Sequence, residues 1–156
     1  WSFLDPKTGW RAWDAGEGRS VLRIGGAWVA EGVSRAASGA AARFVTVEAL
    51  HDVMPGAYNT AAISVPARLT LFAASARVGR ASSGTATAWR LGEAGATDRF
   101  GSGLGLSAGS YSDGLLGQPQ AYYAAAPLVI TGEGGDLAGG QVRLALHYLA
   151  YDLTEA

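Results

Sequence analysis

Gly140-Gln-Val-Arg-Leu-Ala-Leu-His-Tyr-Leu-Ala-Tyr-Asp-Leu153 decides how the chain is read. Successive side chains of a β-strand point to opposite faces. One face is then Val142, Leu144, Leu146, Tyr148 and Ala150, apolar apart from one phenol. The other is Arg143, Ala145, His147, Leu149 and Tyr151, half polar. Roughly ten residues is long against the usual five or six. The stretch reads as a central antiparallel strand that closes a domain, with the first face in the core. The second face meets water or another subunit.

Outward from this strand, strand signals recur about every ten residues from Arg43 on, the spacing of a sandwich or barrel. Phe44–Glu48, Ala57–Val65, Leu69–Val78, Thr85–Leu91, Ala121–Tyr123 and Pro127–Thr131 are the runs. Pro66, Gly79–Gly84, Gly92–Gly95 and Gly132–Gly140 separate them. Residues 96–120 hold six glycines and four serines and read as a long irregular loop. No helical periodicity of useful length occurs.

Residues 1–32 are a different unit. Trp1-Ser-Phe3-Leu4, Trp10–Trp13, Val21–Ile24 and Ala27–Val29 are strand-like, with turns at Asp5–Gly9, Gly16–Gly18 and Gly25-Gly26. A four-stranded meander follows, with its four tryptophans as a miniature core; a sugar-stacking platform is the alternative. Residues 33–42, Ala-rich and short of large side chains, read as a linker or a short helix. The fold expected is all-β: a small Trp-rich β-meander (1–32), a linker (33–42), and an antiparallel, jelly-roll-like β-sandwich (43–156) that carries receptor binding.

Composition narrows the function. The chain has 156 residues, 16% charged, against about 25% in an average soluble domain. It also holds 23 glycines. Low charge suggests surface buried between copies. Net charge is −1 without a basic run, which argues against nucleic-acid or anionic-membrane partners. There is no cysteine, hence no thiolate metal site, and no apolar run long enough to span a bilayer. No signal peptide is visible, and a start at Trp1 reads as a piece of a longer protein.

Gly105-Leu-Ser107-Ala-Gly109 matches a nucleophile elbow, with Asp113 or Asp136 and His147 after it. That motif needs a strand, a sharp turn and a helix, and Gly109–Gly114 cannot start a helix. Gly101-Ser-Gly103-Leu-Gly105 has the wrong spacing for a dinucleotide turn. His51 reads as part of a surface turn, with no second ligand cluster for a metal. Asp98, Asp113, Glu133 and Asp136 sit in Gly-rich turns, where carboxylates commonly support the backbone. No catalytic residue, cofactor or metal is expected. What remains is a binding surface. Trp89, Asp98, Arg99, Tyr111, Gln120, Tyr122 and Tyr123 combine flat rings with planar hydrogen-bonding groups, the chemistry an oligosaccharide needs. Tyr122 and Tyr123 point oppositely if extended, so at most one serves the site.

The segment Trp1–Trp13, continuing through Gly25-Gly-Ala-Trp28-Val29, resembles the Trp-rich hairpin repeat of an uncharacterised phage family. That family occurs in alphaproteobacterial prophages and in gene transfer agents, the phage-like particles of Rhodobacter-type bacteria. Val65–Arg68, Asp98–Gly101, Gln120–Tyr123 and Gly140–Tyr148 look like the C-terminal domain of gene-transfer-agent spike or fibre proteins. The resemblance implies a virion-surface spike, trimeric as fibres are, set among other virion proteins and attaching particles to capsular or other cell-surface polysaccharide. A purely structural fibre segment is the second reading, and a capsule-degrading hydrolase the third.

Overall fold

Gly139 and Gly140 lie inside the last strand, not before it. In the computed structural model, which describes residues 4–154, that strand runs Leu137–Asp152. Its pairing register shifts at Leu137/Gly139 and again at Gly139/Gln141. These shifts let it continue through a glycine pair that the sequence presents as a turn.

The described residues form thirteen strands and no helix. In chain order they are β1 (Arg11–Asp14), β2 (Arg19–Ile24), β3 (Ala27–Ala30), β4 (Ser34–Arg35), β5 (Ala41–Asp52), β6 (Tyr58–Val65) and β7 (Leu69–Gly84). Then come β8 (Ala88–Glu93), β9 (Ala96–Leu104), β10 (Tyr111–Ser112), β11 (Leu115–Tyr122), β12 (Ala126–Glu133) and β13 (Leu137–Asp152). The chain divides into two units. One reaches Arg43 and takes in Asp152; the other is Phe44–Tyr151.

The larger unit is an antiparallel sandwich. One of its sheets runs β10-β7-β13-β5, with β11 also on β7, and the other runs β6-β12-β8-β9. The long last strand is therefore interior, between β7 and β5. Val142, Leu144 and Leu146 are all at most 2% exposed. They share one cluster with Leu71 and Val78 of their own sheet and with Val65, Trp89, Leu91, Leu128 and Ile130 of the facing sheet. Each aliphatic side chain buried this way contributes about 1.5–3 kcal/mol.

Residues 96–120, expected as loop, contain β9, β10 and β11. Registers slip between Trp89/Leu91 and Leu91/Glu93 on β8–β9, and between Leu115/Gln120 on β11–β7. A slipped register breaks the period-two pattern, so these strands carry no clean alternation.

In the smaller unit β1, β2 and β3 pair in order, with Ala12, Val21 and Ala30 in one row and Arg23 opposite Trp28. Gly25 and Gly26 have φ of 57° and 82°, as a two-residue hairpin demands. Three meander strands are present among the described residues. The fourth was expected at Trp1–Leu4, and Trp1 and Phe3 lie outside the described residues. The tryptophans do not form the expected miniature core: Trp10, Trp13 and Trp28 are 42%, 65% and 41% exposed, and Val21 is the meander's buried apolar residue among those described. A single three-stranded layer cannot cover its own faces. Residues 33–42, expected as a linker or helix, form a hairpin instead. Ser34 pairs Ala42, Arg35 pairs Ala41, and the turn closes with the Ala36 amide on the Ala40 carbonyl. Small side chains permit so tight a turn, and backbone pairing holds it.

Candidate functional site

Strand pairing assembles a polar row across the outer face of the β10-β7-β13-β5 sheet. Tyr111 stands opposite Arg77, and Arg77 opposite Arg143. Arg143 Nη1 then donates to Glu48 Oε1 at 2.8 Å. Both partners are more than half exposed, so the pair adds little stability. Its effect is to hold one guanidinium against the sheet. Arg77 has no ion-pair partner among the described residues, and the Tyr111 ring is 67% exposed.

Four residues along β13 from Arg143, His147 bridges two hydroxyls. Its Nε2 lies 3.0 Å from Ser75 Oγ and its Nδ1 3.3 Å from Thr46 Oγ1. The row and this bridge border a shallow groove of about 230 Å³, lined by Tyr111, Asp113, Arg77, Arg143, Glu48 and Ser75 among others. An exposed ring beside two guanidiniums and two carboxylates can stack on a sugar face and engage hydroxyl or anionic groups in paired hydrogen bonds.

Of the seven residues expected to bind a ligand, Tyr111 alone lines this groove. Trp89 is 1% exposed, and its indole donates to the Gly105 carbonyl at 2.9 Å. It is a core residue whose polar edge is satisfied. Tyr122 is 7% exposed and donates to Glu93 Oε2 at 3.0 Å. Burial, and then the Glu93 carboxylate, push its phenol up to about 12. Arg99 Nε sits 2.6 Å from Glu93 Oε1, so Arg99 closes the same buried network. Trp89 and Tyr122 are thus withdrawn from any surface site, and Arg99 is committed to Glu93. Asp98, Gln120 and Tyr123 are exposed, Tyr123 at 89%, opposite in facing to Tyr122 as alternation requires.

Arg77, Arg143, Glu48 and Ser75 escaped the sequence reading as a site, and His147 entered it only with the rejected nucleophile elbow. Alternation placed Arg143 and His147 on the outer face. Which residues of β5, β7 and β10 stand beside them depends on register, which the sequence does not display.

Gly105–Gly109 is the connection between β9 and β10. The Ser110 amide bonds the Ser107 carbonyl there, and β10 follows, so the strand–turn–helix junction of a nucleophile elbow is missing. Ser75–His147 comes nearest to a nucleophile–base pair. However, His147 Nδ1 faces a hydroxyl rather than a carboxylate, and β7 at Ser75 is flanked by strands on both sides. Its neighbouring amides belong to the sheet ladders, not to an oxyanion site. His51, expected in a surface turn, is a buried residue of β5, 7% exposed, with Nε2 unpartnered among the described residues. Asp52 faces out instead, toward Gln141 and Arg80. The two diverge because they are adjacent on a strand.

No family model matches the chain, and no curated protein matches it. Among solved structures, a chain of the cyanophage Pam1 capsid asymmetric unit is similar. Identity is 17% and the TM-score 0.45, over 83% of this chain and 97% of that one.

Proposed function

We propose that this chain is a spike or fibre component of a phage-like particle, exposed at the virion surface among other virion proteins, that attaches the particle to capsular or other cell-surface polysaccharide. The observation that carries the reading is the groove at Tyr111, with its exposed ring beside Arg77 and the Arg143–Glu48 pair. The resemblance of the Trp-rich repeat to that of a phage family, and of the Gly140–Tyr148 stretch to spike or fibre proteins, supports the setting. A single shallow contact of this kind is weak, and several copies on one particle multiply it through effective concentration. The role is binding rather than catalysis.

The same sheet face supports burial between copies, and the fibre resemblance makes the proposed assembly a homotrimer. Beyond the polar row the face carries Phe44, Leu50 and Tyr151, each 45% exposed or more, with Phe44 against Phe72 at 5.8 Å between ring centroids. If that face is buried between copies along its whole length, the chain is a structural fibre segment and receptor binding lies elsewhere. Competition between the purified chain and particles for encapsulated cells decides between them. Attachment requires that the chain slow particle adsorption and that Tyr111→Ala or Arg77→Ala weaken this several-fold with folding intact. A folded oligomer that neither binds such cells nor competes leaves the structural-segment reading.

A further inference from the structure

The smaller unit presents a second built surface. On one face of the meander, three rows of side chains cross the strands. Trp10 and Trp28 flank Arg23, since the Arg23 amide bonds the Trp10 carbonyl at 2.8 Å and Arg23 pairs Trp28. Ala12, Val21 and Ala30 form the next row, and Asp14 and Arg19 the third. The small middle row leaves a trough of about 390 Å³, lined by Ala12, Asp14, Arg19, Val21, Trp28 and Ala30. That lies within the range of small-ligand clefts.

Its charges point one way. The Arg23 guanidinium lies over the Trp28 ring, 5.7 Å from the centroid. It forms no ion pair among the described residues, and its Nε is buried without a hydrogen-bond partner. A buried guanidinium Nε lacking an acceptor is costly unless a ligand provides one. Asp14, the trough's carboxylate, already accepts the Gly16 and Glu17 amides through Oδ1 at 3.0 and 3.2 Å. Arg19 reaches only Glu17, at 3.9 Å and largely exposed. A ring, a small-residue floor, Arg19 in the lining and Arg23 beside it over Trp28 match a flat ligand bearing hydroxyls and a carboxylate. We infer that this trough binds an acidic sugar, a uronate-bearing residue of a polysaccharide. Its ring packs over Ala12, Val21 and Ala30 against Trp28, and its carboxylate is held by Arg23 or Arg19. The inference rests on the polysaccharide reading above and adds a second site of stated sugar class.

Affinity electrophoresis of the full chain tests it, in gels containing polygalacturonate, alginate, hyaluronan or neutral dextran. At least one uronate polymer should retard the chain and dextran should not. Arg23→Met, which keeps an aliphatic stem on Trp28, and Trp28→Ala should each weaken retardation at least fivefold. Trp28→Phe, which keeps a ring there, should retain most of it. Retardation by none of the three uronate polymers overturns the inference, as does equal retardation of Arg23→Met and wild type. If only Tyr111→Ala loses retardation, the trough is rejected while attachment through the groove stands. Retardation that depends on Arg23 in a chain that binds no encapsulated cells keeps the trough and rejects attachment.

Discussion

The Tyr122 hydroxyl donates to Glu93 Oε2 at 3.0 Å while Arg99 Nε holds the other oxygen at 2.6 Å. A carboxylate buried in the sandwich thus has a donor on each oxygen, the condition under which a buried charge is tolerated. Tyr122→Phe removes one donor and should destabilise the chain by about 1–3 kcal/mol in urea unfolding.

The same bond sets a response to alkali. The folded phenol titrates near 12 against 10.0 when unfolded, chiefly because it is buried. A raised folded value means stability is whole below pH 10 and declines as pH rises from 10 toward 12. The decline is on the order of 2–3 kcal/mol. Tyr122→Phe should show a shallower decline across that window. An unchanged slope would show that Tyr122 is not the group titrating.

At the other pH limit, Asp152 is held below the ordinary carboxylate value by hydrogen bonds from Arg43, Nε to Oδ2 at 3.0 Å and Nη2 to Oδ1 at 2.9 Å. A depressed folded value gives stability that is present above the unfolded pKa and lost as pH falls through the folded one. Acid unfolding followed by tryptophan fluorescence should therefore start below pH 3.8, the unfolded value. In Asp152→Asn, stability near neutrality should be lower and this acid-dependent loss reduced.

Neither serine that invites catalytic interpretation should behave as a nucleophile. Ser107 lies in a β-turn connection, and Ser75 lies mid-strand without free amides to hold an oxyanion. A fluorophosphonate probe should label neither. Labelling of Ser75 that disappears in His147→Ala would instead make their 3.0 Å contact a catalytic one.

Gly114 is the position least tolerant of a side chain. Its φ is 58°, and a Cβ there would run into the Ala74 carbonyl that β7 presents to it. Gly114→Ala should destabilise the sandwich by more than about 2 kcal/mol and shift the β10–β11 segment that carries Tyr111. Its thermal midpoint should fall, and binding through the groove should weaken with it.

The residues of β13 determine their own structure. Val142, Leu144 and Leu146 alternate with Arg143, Ala145 and His147, and burial follows that alternation because a strand has no other way to divide its side chains. Gly25-Gly26 likewise dictates its hairpin through local backbone freedom. All-β architecture was legible for these reasons. Tertiary structure alone decided which aromatic residues reach solvent. Trp89 and Tyr122 look like surface rings beside glycine-rich sequence, yet bulged strands fold that sequence over them. Trp10, Trp13 and Trp28 look like a core, yet no second layer within their own unit covers them. The groove is a matter of register: Tyr111, Arg77, Arg143 and Glu48 come from four strands, and a one-residue slip in any pair would turn one of them inward.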